Sequence, residues 1–184
     1  MSKGTLTQLF FGSVDRYADR RPACYRVKVG GEWRTITHRE AVDRVQAITL
    51  GLRELGIQPG DRVAILSETR PEWALADYAC LCARAADVPI YPTLTAKQTE
   101  YILKDSGAVA AFCSTPEQVT KLVGLKPNVP SLQHVIAFEE GGKRSGVMTL
   151  AELEARGAAA SGKQRFREEA LAVSPDAIAT LIYT

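Results

Sequence analysis

The chain is expected to fold as an α/β protein: a doubly wound, mostly parallel sheet with helices on both faces and an N-terminal hairpin at an edge. Three observations predict it. Short apolar runs of strand composition, such as Arg62-Val-Ala-Ile-Leu66, alternate with stretches of helical periodicity. Four boxes mark helix starts: Thr37-His-Arg-Glu40, Thr95-Ala-Lys-Gln98, Ser114-Thr-Pro-Glu117 and Thr149-Leu-Ala-Glu152. In each, a hydroxyl and a carboxylate or amide satisfy one another's orphan backbone amides. Helices interposed between short strands are the crossovers that parallel pairing requires.

The first helix is expected from Thr5 to Arg20, with Leu6, Leu9, Phe10, Val14 and Tyr17 on one face. Arg21-Pro22 ends it, because a residue before proline avoids the helical region. The runs Cys24–Val29 and Glu32–Ile36 form the hairpin. Gly30-Gly31 supplies the two positive-φ positions of a type I′ turn. Thr37 opens a helix that carries Ala41, Val45, Ile48, Leu52 and Leu55 inward, and Gly56 stops it. The turn Gln58-Pro-Gly-Asp61 leads into the strand Arg62–Leu66. A helix begins at Arg70-Pro71-Glu72-Trp73, with proline tolerated in the first turn, and runs through Cys82. Strands follow at Asp87–Tyr91, Ala108–Cys113 and His134–Phe138, separated by helices opening at Thr95 and Ser114. Glu139 to Gly146 reads as a surface loop. Residues 139–173 are the loosest stretch, and the segment from Gly157 to Gly162 is expected to fray. Leu181, Ile182 and Tyr183 make a last strand.

Composition narrows the function. Lys and Arg number 23 against 21 Asp and Glu, a net charge of +2 with no basic tract beyond Arg16, Arg20 and Arg21. Neither nucleic acid nor an anionic membrane is favoured as a partner. No apolar run approaches the ~18 residues of a membrane span, and the N-terminus lacks a signal-peptide pattern, so the expected location is cytoplasmic. Cys24, Cys80, Cys82 and Cys113 form no Cys-x-x-Cys pair, and only His38 and His134 could join them. They read as structural thiols, not a metal site. The two histidines read as surface or capping residues. Asp61-Arg62 belongs to a turn, Glu68 and Glu72 suit a helix start, and Trp33 and Trp73 suit packing. Tyr91-Pro92-Thr93 leaves the carboxyl end of a strand, where α/β ligand sites cluster.

Five segments in order carry a resemblance: Leu55-Gly-Ile-Gln-Pro-Gly-Asp-Arg-Val-Ala-Ile-Leu66, Ser67-Glu-Thr-Arg-Pro-Glu-Trp73, Val88-Pro-Ile-Tyr-Pro-Thr-Leu94, Glu100-Tyr-Ile-Leu-Lys-Asp-Ser106 and Ala179-Thr-Leu-Ile-Tyr-Thr184. Together they resemble the N-terminal part of the long-chain fatty-acid–CoA ligases of the adenylate-forming superfamily. Thr69 stands where that family usually has Asn, and Arg84 where Gly is common. The resemblance implies that residues 1–184 are a partial N-terminal domain, stopping where the family continues into the phosphate loop Ser-Gly-Thr-Thr-Gly-x-Pro-Lys-Gly.

It also implies the chemistry: fatty acid, ATP and coenzyme A become acyl-CoA, AMP and pyrophosphate through an acyl-adenylate, with Mg²⁺ on the nucleotide. Of the family's site residues only Thr184, as a nucleotide and metal contact, maps onto this sequence; no catalytic residue does. The chain alone is therefore expected to be inactive, and a homodimer is compatible with the family. The alternative is a free-standing, non-catalytic α/β module for binding or subunit assembly. The coding frame after Thr184 separates the two readings.

Overall fold

The apolar runs pair into one sheet, and the hairpin stands apart from it. The computed structural model describes residues 4–184. Its elements in chain order are α1 (Leu6–Tyr17), β1 (Ala23–Val29), β2 (Glu32–Thr37), α2 (His38–Glu54), β3 (Arg62–Leu66), α3 (Pro71–Cys82) and β4 (Ala86–Ile90). There follow α4 (Ala96–Ser106), β5 (Ala110–Cys113), α5 (Pro116–Leu125), β6 (His134–Ala137), β7 (Val147–Thr149), α6 (Leu150–Ala159) and α7 (Phe166–Leu171). Five strands form a sheet in the order β4-β3-β5-β6-β7, every pair parallel.

Strand periodicity sorts the core into two layers. Val63, Ile65, Ala110, Phe112 and Ile136 face a layer built with α1, α2, α3, α6 and α7. Their neighbours Ala64, Leu66, Ala111, Cys113, Val135 and Ala137 face the other layer, built with α4 and α5. Helices therefore cover both faces, as the alternation of elements requires.

The helix starts follow their caps. Thr37, Thr95 and Thr149 make the expected boxes, and Thr5 makes one with Gln8. The box at Ser114 is shifted. Pro116 occupies the first turn of α5, so the cap falls on Thr115, whose hydroxyl accepts from the Gln118 amide. Ser114 remains with the strand and donates its amide to Leu66 O at 3.2 Å.

Four further expectations need correction. The hairpin is not an edge of the main sheet but a separate two-stranded sheet. Its polar residues Arg26, Lys28 and Arg34 leave only a partial apolar face. Cys24, Tyr25 and Ile36 lean with that face on the α2–α3 layer. Trp33 does not pack inward: it is 62% exposed, with the Arg26 guanidinium 5.4 Å from its ring centroid. The 139–146 loop leads directly into an unforeseen strand, β7, only three residues long. Finally, the Gly157 region is not frayed. A Cβ on Gly157 would lie 1.8 Å from Ala47 O and 2.6 Å from the Gly51 amide nitrogen, and one on Gly51 would lie 2.5 Å from Leu153 O. These two glycines let α6 press backbone to backbone against α2.

Two stability measurements check this packing. Gly157→Ala must push the helices apart, and urea denaturation should show a loss of about 3 kcal/mol or more. Gly12→Ala, at an exposed position of α1 where a Cβ meets nothing within 4 Å, should instead gain about 0.5–1 kcal/mol. Arg84, the one non-glycine residue with positive φ among the described residues, sits at φ 64°. Arg84→Gly should relieve left-handed strain and raise stability by about 0.5–1 kcal/mol; no gain, or a loss, would show the strain to be compensated.

Candidate functional site

A doubly wound sheet binds its ligands where neighbouring strands send their connections to opposite faces. Here that point lies between the carboxyl ends of β3 and β5. From β3 the chain crosses to α3 in one layer, and from β5 it crosses to α5 in the other. Ser67 closes β3, buried, with its Oγ donating to Glu68 O at 2.8 Å. Ser114 closes β5 with its side chain 1% exposed, and its Oγ has no partner.

Arg70 spans this crevice. Its Nε donates to Glu72 Oε2 and its Nη1 to Glu139 Oε1, both at 2.7 Å, and its guanidinium stands 5.8 Å from the Phe138 ring centroid. Glu139 follows β6, so one side chain ties the ends of β3 and β6 across β5. Burial works against the Arg70 charge, but its hydrogen bonds to Glu139 and Glu72 outweigh it and hold the guanidinium above its usual value. A cation already flanked by two carboxylates acts as a brace, not as a free anion receptor.

The β4–α4 connection closes the next part of the same rim. Pro92 O accepts from Gln118 Nε2 at 2.9 Å, and Leu94 O accepts from Lys121 Nζ at 2.8 Å. Two residues of α5 thereby hold the loop that begins at Tyr91, whose ring is 71% exposed. Gln118 Oε1 and Thr99 Oγ1 are buried without partners on this side. Neither residue stood out in the sequence, since Gln and Thr in a helix's first turn ordinarily serve as caps.

The remaining candidates resolve simply. Asp61 caps its turn, accepting from the Gln58 amide at 2.8 Å, while Arg62 donates to Ser106 O at 2.7 Å. Glu72 lies in the first turn of α3. Glu68 is exposed, and Trp73 is partly buried against the core. His38 is buried at the start of α2 rather than on the surface. His134 opens β6, and burial lowers its pKa. Cys80, Cys82 and Cys113 are buried free thiols, pushed up by burial, and Cys24 is half-buried. Among the described residues no group of three or more His, Cys, Asp or Glu could hold a metal ion, and no helix is long and apolar enough to cross a membrane.

The terminal segment docks elsewhere on the sheet. The expected strand 181–183 is reduced to one parallel bridge, Thr180 beside Asp87 on the free side of β4. The Asp87 amide donates to Ala179 O at 3.0 Å, and the Leu181 amide donates to Asp87 O at 2.9 Å. Beyond it Leu181 and Tyr183 pack on the α4 layer, and Tyr183 Oη donates to Asp105 Oδ2 at 2.7 Å. Thr184 is exposed. Strands β4 and β3 stand between this segment and the β3–β5 crevice, so Thr184 is not brought together with Ser67, Arg70 or Ser114.

Under the bridge lies a feature the sequence reading missed. The buried Asp87 side chain accepts from Thr180 Oγ1 at 3.2 Å and meets the Asp77 carboxyl of α3. Burial, and then the Asp87 charge, push Asp77 up to about 7; burial likewise raises Asp87. The signal was available. An Asp inside the apolar run Ala86-Asp-Val-Pro-Ile90, and another among Leu75-Ala-Asp-Tyr-Ala79, are charges where burial is expected.

The AMP-binding enzyme family matches residues 10–184. Long-chain-fatty-acid–CoA ligase FadD15 of Mycobacterium tuberculosis is 39% identical over 160 residues, covering 87% of this chain and 26% of the relative. Peroxisomal long chain acyl-CoA synthetase 7 of Arabidopsis thaliana is 31% identical over 136 residues, 72% of this chain and 19% of the relative. The chain thus spans about a quarter or less of these relatives' length. Among solved structures, the coronafacic acid ligase of Pectobacterium brasiliense superposes with a TM-score of 0.73 at 19% identity, over 95% of this chain and 33% of that one. The A domain of the carboxylic acid reductase of Segniliparus rugosus, in complex with AMP and a carboxylic acid, also scores 0.73, at 20% identity, over 86% of this chain and 31% of that one.

The Asp77–Asp87 pair makes stability pH-dependent with a definite sign. Carboxyl groups whose folded pKa lies above the unfolded value bind protons more tightly when folded. Their contribution is fully present below about pH 4 and is lost as pH rises toward about 7. His134, lowered by burial, acts in the opposite direction, so the comparison must be with a variant. Asp77→Asn keeps a donor toward Asp87 and removes the second charge. Urea midpoints should show it stabilised by about 1 kcal/mol at pH 8 but not at pH 5, flattening the slope. Parallel wild-type and variant profiles would contradict the pairing.

Proposed function

Because this chain belongs to the AMP-binding enzyme family, we propose that it is the N-terminal part of an ATP-dependent long-chain fatty acid–CoA ligase. The match over residues 10–184 carries the reading. The names of the two relatives, a long-chain-fatty-acid–CoA ligase and a long chain acyl-CoA synthetase, suggest the substrate class. In the proposed reaction a fatty carboxylate oxygen attacks the α-phosphorus of ATP, and the bond to pyrophosphate breaks to leave an acyl-adenylate. The sulfur of coenzyme A then attacks the acyl carbon and AMP departs.

This chain's part in that reaction is architectural. The sheet supplies a rigid platform, its carboxyl edge braced by Arg70, Gln118 and Lys121. The terminal segment continues parallel to β4, a direction that leads toward the same edge. A phosphate turn mounted there would present backbone amides to the nucleotide. Thr184 is proposed to add one hydroxyl to the nucleotide and its Mg²⁺. A magnesium triphosphate needs several oxygen donors and a cationic clamp. One exposed, neutral hydroxyl does not meet that need by itself.

Two assays test the reading. The 184-residue chain incubated with ATP, Mg²⁺, palmitate and coenzyme A should release no pyrophosphate, because the transition-state charge has no clamp within it; turnover would overturn the partial-domain reading. In a protein carrying the complete phosphate loop, Thr184→Val should lower kcat/KM for ATP by about 1–3 kcal/mol, the cost of removing one polar partner. An unchanged value would remove Thr184 from the site.

A further inference from the structure

We propose that the outer face of the β1–β2 hairpin, built around Trp33, docks this chain onto an anionic lipid bilayer. The inference rests on the hairpin's own residues and does not depend on the ligase reading.

The antiparallel register sorts the hairpin's side chains, because residues directly opposite one another share a face. Lys28 lies opposite Trp33 and Arg26 opposite Thr35, so these four stand together on one face. All four are exposed, whereas Tyr25, Val27 and Ile36 on the other face are partly buried. The outer face therefore presents one aromatic ring between two cations, with the Arg26 guanidinium 5.4 Å from the Trp33 ring centroid. Val29, beside the Gly30-Gly31 turn, adds a second exposed apolar side chain at the tip. The hairpin belongs to no larger sheet, so its outer face is not held toward another strand.

Charge gathers in the same stretch of chain. Residues 16–39 hold seven of the 23 Lys and Arg but only two of the 21 Asp and Glu, a concentration that the net charge of +2 conceals. All seven cations are exposed. Among the described residues only Arg39 of the seven is in an ion pair, with Asp19. Arg16, Arg20 and Arg21 lie at the end of α1 and in the turn that leads into β1. Each unpaired cation near an anionic leaflet adds about fivefold to binding. A Trp settles at the headgroup level, where its ring meets apolar surroundings and its N–H stays wet. A single-stranded nucleic acid would instead need aromatic faces free to receive bases. The Trp33 ring already carries Arg26, and Val29 offers no face for stacking. The bilayer is the better complement.

Sedimentation of the 184-residue chain with lipid vesicles tests the assignment. Vesicles of phosphatidylcholine and phosphatidylserine in equal parts should carry the chain down at about 0.1 M salt and release it at about 1 M. Pure phosphatidylcholine vesicles should not bind it. Arg26→Gln and Lys28→Gln should each weaken partition about fivefold. Lys97→Gln, an exposed cation of α4 in the opposite layer, should leave it unchanged. These side chains are all exposed, so the substitutions leave the fold intact. Tryptophan emission gives a second readout on the wild-type chain. It should shift to the blue on vesicle binding, and Trp33→Phe should abolish that shift. No sedimentation with the anionic vesicles, equal weakening by Lys97→Gln, or emission unmoved by binding would each overturn the proposal. So would binding to oligothymidylate in place of vesicles, which would give the face to nucleic acid.

Discussion

The structure depends on the complete burial of β3. Val63, Ala64, Ile65 and Leu66 have no exposed surface, and the strand is paired in parallel on both sides, to β4 and to β5. A strand so placed must be apolar on both faces, and each face must then be covered by helices. That requirement fixes the two layers, and with them the divergence of α3 and α5 at the carboxyl ends. The candidate crevice is a consequence of where β3 sits. So is the distance of the terminal segment from it, since β4 has one neighbour already and offers only its outer edge.

Most of this was legible because local chemistry and global architecture agree. Thr37, Thr95 and Thr149 each stand three residues before a Glu or Gln, and each opens a helix. Gly30 and Gly31 both take positive φ, as the hairpin turn demands. The misreadings have tertiary causes. Gly157 suggests fraying by propensity, yet it is a contact residue whose missing Cβ lets α6 approach α2. The three residues of β7 are too short a run to show strand periodicity, and β6 recruits them by pairing. The hairpin's separation from the main sheet depends on which surface its few apolar residues reach.

The candidate site was less legible, for a different reason. Strand ends and Gly-rich loops are local signals, but the Arg70 brace joins residues 70 and 139, and the carboxyl pair joins 77 and 87 across two elements. Such pairs exist only after the sheet assembles. The resemblance to adenylate-forming ligases and the match over residues 10–184 agree on the family. The structure adds what motif reading could not: the segment leading to Thr184 is held by backbone hydrogen bonds to Asp87 and by Leu181 and Tyr183 on the α4 layer.

Native-state hydrogen exchange across a series of urea concentrations tests the role of β3 most directly. If its burial organises the fold, the amides of Val63–Leu66 exchange only through global unfolding, with the full urea dependence of the equilibrium transition. Exchange of those amides through a smaller opening, while α2 and α6 remain protected, would contradict it and make the helical layer the organising element.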